Sequence, residues 1–195
     1  MTQTTHDKFE MRRLESLSNT IFGVAMTLLA YGLPNAAHFE AAPSWNDLYQ
    51  AYAGKLSAVI LSFIIAGVFW FSHQRRLAQQ PFGGRGAVML NLLFLLSIIL
   101  LPVTNGLNGT YGMTDVIAVL YGLHLVLIAS LNALLWRIAA GPGLHPELAA
   151  SVFPLLVFVP GTIVAAFAPR YAIFFWLLGF GGLLVRRFFR GEVGT

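Results

Sequence analysis

Six stretches of this chain contain no Asp, Glu, Lys or Arg and are dominated by large apolar side chains: 16–34, 56–74, 86–104, 116–136, 148–169 and 171–185. A helix needs roughly 20 mostly apolar residues to cross a bilayer core, and each block approaches or meets that length. With the residues a helix would add at either end, the expected spans are 14–34, 52–74, 86–104, 114–137, 148–168 and 170–188. The last block is short, and Arg186 and Arg187 would snorkel to the interface and lengthen it by about a turn. Composition agrees: 57% of the 195 residues are hydrophobic and 10% charged, where a soluble domain carries about a quarter charged. The expected fold class is all-α, a polytopic membrane protein forming one six-helix transmembrane domain over 1–195, with no room for a second domain.

The loops orient the chain. Lys and Arg concentrate on the cytoplasmic side of short connections. With six spans, Lys8, Arg12, Arg13, Arg75, Arg76, Arg85, Arg137, Arg186, Arg187 and Arg190 share one side, and the other has Lys55 and Arg170. Both termini are therefore expected in the cytoplasm. The polar segment 2–15 and the long block behind it read as a first span, not a cleaved leader. The longest outer connection is expected at 35–50, with interfacial Trp45 and Tyr49. An inner turn is expected at 79–86, an outer turn at 105–112 and an inner break at Gly141-Pro142-Gly143. Pro154 and Pro160 should kink the fifth span, or at least remove its backbone bonds locally. Gly179, Gly181 and Gly182 either allow close helix packing or merely reflect how common glycine is in spans.

Several function classes drop out. There is no cysteine, so disulfides, thiolate catalysis and Cys-based metal sites are excluded. The net charge of +4 lies between the spans, which argues against nucleic acid. No nucleophile, acid pair or metal-ligand spacing appears, so neither enzyme chemistry nor a cofactor is expected.

Polar groups at membrane depth are costly and ask for partners. Asn19 lies roughly 9 Å deeper than Arg13 on a helical rise. Ser18, Asn19, His73 and Asn91 then fall at similar depth on three helices, as in an interhelical hydrogen-bond cluster with Arg13 at its edge. His124, in the middle of the fourth block, is either a neutral, partnered histidine or part of a wet cavity. On the first helix Thr20, Val24, Thr27 or Leu28, and Tyr31 fall on one stripe, which fits a pore lining or a packed helix interface.

The segment from Arg13 through Ser18-Asn19 into Val24, Thr27 and Leu28 resembles the first-helix signature of the transmembrane protein 175 family, R-x-x-x-F-S-D before an apolar run with a threonine. The stretch 68–76, with Trp70 and His73, resembles the end of that family's second helix. The stretch 90–102, beginning Leu90-Asn91, resembles its third. Leu17 stands where the signature has Phe, and Asn19 where it has Asp. The resemblance implies a cation channel of six-helix subunits, four per channel in bacterial members, with the first helices around a central pore. It also implies selection without a potassium-channel filter loop. Carried over by position, the constriction falls on Val24, Leu28 and Tyr31, and the polar layer on Thr27 and Thr20. The inner cluster becomes Arg13, Ser18, Asn19, Trp70, His73 and Asn91. The implied partners are potassium or other monovalent cations, membrane lipid and three further copies of the chain, with no bound metal beyond permeating cations. The implied location is a bacterial inner membrane. The rival reading is a small secondary transporter or proton-coupled carrier, which would use ionisable residues near the midplane.

Overall fold

Inside a bilayer every backbone N–H and C=O must be satisfied within the protein, and a chain of long apolar blocks meets that need as helices. The computed structural model describes residues 9–79, 82–140 and 146–179. Among them are six α-helices: α1 (Met11–Leu28), α2 (Trp45–Gln79), α3 (Arg85–Tyr111), α4 (Asp115–Ala140), α5 (Pro146–Phe167) and α6 (Pro169–Leu178). The segments around α1, α2, α3, α4 and α5 are long and apolar enough to cross a membrane. The sixth predicted span runs on to 188, and its second half lies outside the described residues, as do Gly141-Pro142-Gly143, Gly181, Gly182 and the arginines of the tail. The chain is an integral membrane protein.

Element ends differ from the sequence expectation in instructive ways. Helix α1 tightens into a 3-10 turn at Leu29–Gly32, so Tyr31 leaves the regular α-helical register. The predicted outer connection at 35–50 holds a 3-10 turn, Ala36–His38, and then gives way to α2 at Trp45. There Ser44 and Asp47 cap each other: the Asp47 backbone N–H donates to Ser44 Oγ at 3.3 Å, and Ser44 N–H donates to Asp47 Oδ2 at 2.9 Å. This reciprocal pair satisfies donors that a helix start leaves open. The outer turn expected at 105–112 is helix instead, because α3 runs on to Tyr111 and the bend tightens into Gly112–Thr114. Arg75 and Arg76, read from sequence as loop residues, are in the last turns of α2. A two-residue antiparallel ladder, Phe9–Glu10 (β1) with Phe82–Gly83 (β2), joins the start of α1 to the turn between α2 and α3.

Buried positions on α1 to α6 meet in one apolar core centred on Phe22, Phe69, Phe94, Leu125, Phe158 and Trp176. Lipid is as apolar as these side chains, so close van der Waals fit, not water avoidance, holds spans together. Glycines supply the fit. A Cβ at Gly161 would come within 2.8 Å of Phe175 Cβ, one at Gly179 within 2.6 Å of Phe158 Cε1, and one at Gly122 within 2.5 Å of Thr162 Oγ1. Helices α4, α5 and α6 therefore touch backbone to side chain, which settles Gly179 as a packing glycine. At the opposite flank Gly54 and Gly109 bring α2 against α3. Pro154 and Pro160 both sit inside α5, which continues through them.

Candidate functional site: the exposed face of the first helix and the polar chain behind it

Helix α1 has two unlike faces. Ser18, Phe22, Ala25 and Leu29 are buried against the rest of the subunit. Thr20, Val24, Thr27, Leu28 and Tyr31 all turn away from it, Val24 at 53% and Tyr31 at 88% exposure. Phe22 and Leu29, on the far side of the helix from that stripe, are among the most deeply buried side chains. The hydroxyls on the exposed face are already oriented: Thr20 Oγ1 donates to the Ser16 carbonyl at 3.1 Å and Thr27 Oγ1 to the Gly23 carbonyl at 2.8 Å. A hydroxyl that spends its proton on the backbone presents only lone pairs outward, the geometry that accepts a cation or water. Gly23 shares this face, with no atom within 4 Å of where its Cβ would stand. Leu17, at the motif's Phe position, shares it too.

Behind the buried face runs a chain of polar side chains. Arg76 Nη2 donates to His73 Nδ1 at 2.9 Å and to Asn91 Oδ1 at 2.7 Å. Because Nδ1 accepts, the His73 proton sits on Nε2, which donates to Ser18 Oγ at 2.9 Å; Ser18 in turn donates to the Leu14 carbonyl at 2.6 Å. Ser18, His73, Arg76 and Asn91 are all buried, and the chain ties α1, α2 and α3 together at one end. The His73 ring stacks on Phe94 at 5.3 Å and tilts against Phe22 at 5.9 Å, so the histidine is held from both sides. Asn19 and Trp70 form a separate, exposed pair, Trp70 Nε1 donating to Asn19 Oδ1 at 2.9 Å, with Gln74 beside them.

This arrangement corrects the sequence reading at Arg13 and sets Asn19 and Trp70 apart from the buried cluster. Arg13 is exposed on the first turns of α1 and takes no part in the chain. The buried guanidinium belongs to Arg76. Two adjacent arginines at the end of an apolar block look alike in sequence, yet Arg75 turns outward to pair with Glu147 at 2.5 Å and Arg76, one residue on, turns in. The signal available beforehand was spacing: His73 and Arg76 stand at i and i+3 and share a helix face. No carboxylate lies within ion-pair distance of Arg76 among the described residues.

Deeper in the bundle, Ser62 Oγ donates to Asn105 Oδ1 at 2.8 Å and meets Tyr121 Oη at 2.7 Å, joining α2, α3 and α4. Trp136 Nε1 donates to Ser72 Oγ at 2.9 Å. His124 Nε2 donates to the Ser97 carbonyl at 2.9 Å, and its Nδ1 lies 2.7 Å from Thr104 Oγ1. Both ring nitrogens are therefore used in binding α4 to α3. No cluster of His, Asp or Glu fit to hold a metal ion occurs among the described residues.

Five membrane-length segments, a core shared by all six helices, and a first helix with one buried and one exposed polar-apolar face define a polytopic α-helical membrane protein. Residues 13–102 match the family model described as endosomal/lysosomal potassium channel TMEM175. A curated potassium channel of Streptomyces collinus is 27% identical over 137 residues, which is 66% of this chain and 65% of the relative. The chain thus spans a little less than two thirds of that relative's length. A crystal structure of a lysosomal potassium-selective channel TMEM175 homolog from Chamaesiphon minutus has the same fold, with a TM-score of 0.76 over 90% of this chain and 97% of that one at 20% identity. Over residues 13–102 this chain is similar to the TMEM175 family, and its fold is that of a TMEM175 homolog.

Proposed function

We propose that the chain is the subunit of a homotetrameric, potassium-permeable channel, a passive leak in which the exposed face of α1 lines a central pathway. One observation carries the reading. Thr20, Val24, Thr27, Leu28 and Tyr31 all turn away from their own subunit while the opposite face of the same helix is buried. A stripe mixing hydroxyls with apolar side chains is poorly suited to lipid and well suited to a ring of equivalent helices around water. Val24 and Leu28 would form the narrow apolar layers, where a constriction gates by dewetting and selects by enforcing partial dehydration. Thr27 and Thr20 would offer the lone pairs that replace hydration water, and Tyr31 would form the outermost layer. The family match and the two potassium-channel relatives support the cation and the pathway. The transporter alternative needs a free ionisable group near the midplane, and both nitrogens of His124 are engaged.

The same reading places the end carrying Arg13, Arg75, Arg76, Arg85 and Arg137 in the cytoplasm of a bacterial inner membrane, with Lys55 and Arg170 outside.

A cysteine scan of 17–31 in reconstituted channels tests the proposal, since the chain has no native cysteine. Water-soluble thiol reagents should block current at Val24, Thr27 and Leu28. They should spare Leu93 and Leu96 of α3, which are equally exposed on one subunit but would face lipid. Equal reactivity on both helices, or reactivity on α3 alone, would remove α1 from the pathway.

A further inference from the structure

At the end of the bundle remote from Arg76, a cavity of 460 Å³ opens between the first turns of α2, the last turn of α3 and the start of α6. Its size suits a small-molecule site. Three basic side chains line it: Lys55, Arg170 and His38. None of the described residues around it is acidic. Neither Lys55 nor Arg170 has a carboxylate within ion-pair distance among the described residues, and Arg170 lies over the Tyr171 ring at 5.5 Å. In the sequence these are the two cations that fall apart from the other ten. The close approach of Gly54 to Gly109 brings α2 onto α3 beside Lys55: a Cβ at Gly109 would stand 3.1 Å from Lys55 Cα. The chain thus places unneutralised positive charge around a space with room for a ligand. Asn108 and Thr110 add neutral hydrogen-bonding groups, while Ile173 and Trp176 make an apolar lower wall. Trp176 is only 2% exposed, and its indole N–H has no acceptor among the described residues, an omission that buried donors rarely show.

We propose that this cavity binds an oxyanion of the phosphate class, carried by a membrane phospholipid or present as free phosphate. Arg and Lys supply charge-assisted donors to phosphate oxygens. The polar mouth above an apolar wall matches a phosphate with hydrocarbon attached. The site is independent of whether the chain conducts cations.

Thermal unfolding of the purified protein in neutral detergent tests it with three probes. These are dihexanoylphosphatidylglycerol below its micelle concentration, its zwitterionic phosphatidylcholine counterpart, and sodium phosphate against sodium chloride at matched ionic strength. Phosphatidylglycerol near saturation should raise the wild-type midpoint by about 4 °C or more, with phosphatidylcholine giving less than half that shift. Lys55→Gln and Arg170→Gln should each lose most of the response, while Lys55→Arg, Arg170→Lys and the remote Arg13→Gln retain it. A shift with phosphatidylglycerol alone assigns the site to lipid; a shift with phosphate as well assigns it to the free anion. Absence of any shift in wild type, equal shifts with both lipids, or neutral variants that respond like wild type would each overturn the proposal.

Discussion

Arg76 is a full charge placed in the interior and held by two neutral acceptors, His73 Nδ1 and Asn91 Oδ1. Losing either leaves a donor of a charged group unsatisfied, a penalty of about 2 kcal/mol. Ordinary interhelical hydrogen bonds between spans contribute about 0.6 kcal/mol. Asn91→Leu should therefore destabilise the folded subunit by about 2 kcal/mol in a detergent unfolding titration, and Ser62→Ala by less than half as much. Equal losses would mean that Arg76 draws nothing special from Asn91. Asn19 makes a second residue-scale test. It accepts from Trp70 at the exposed edge of α1, and a carboxylate there would accept the same proton while adding a negative charge near the proposed pathway. Asn19→Asp should raise potassium flux in liposomes at unchanged protein density, and a fall would show that the charge lies off the route. Ser18, His73 and Asn91 were legible in sequence because helical rise alone puts them at one depth. Arg76 was not, because positive charge at the end of an apolar block is what an exposed, orienting arginine also looks like. Its i, i+3 spacing from His73 hints at a shared face, and packing against α3 is what separates it from Arg75.

At the scale of the element, spacing identified the α1 stripe but not which way it turns. Periodicity defines two faces of a helix without saying which one meets the rest of the subunit; packing shows that it is the face with Phe22 and Leu29. Element ends were similarly open, since an apolar block marks only the part of a helix that needs lipid; α2 and α3 continue past it in polar residues. Glycines on opposite sides of the packing give a paired prediction. Gly161→Leu must displace Phe175 and should cost 2 kcal/mol or more, read as lost thermal stability. Gly23→Leu meets nothing within the subunit, so it should leave stability within about 0.5 kcal/mol. If α1 lines the pathway, the same substitution narrows it, and flux should fall several-fold. Unchanged flux with unchanged stability would place Gly23 against lipid.

The proposed channel works as four copies, since among the described residues the interior of a single subunit is filled by Phe22, Phe94, Leu125 and Trp176. Native mass measurement in lipid should give four times 21.3 kDa, and a persistent monomer or dimer would contradict the proposed pathway. The unequal lengths of the first two helices carry a further consequence. Helix α2, at 35 residues, is roughly 50 Å long, well beyond a hydrocarbon core of about 30 Å. It must lean or protrude, and Trp45 and Tyr49 at its projecting end are the side chains that seek the headgroup layer. His73 binds it to Ser18 at one end, and Tyr52 Oη donates to the Pro34 carbonyl at 2.6 Å at the other, so the shorter α1 is strapped along it like a rung to a rail. A thinner or thicker bilayer should shift the lean of the longer helix and carry the α1 stripe with it, so that in the proposed channel the thickness of the surrounding lipid would become an input to the width of the opening.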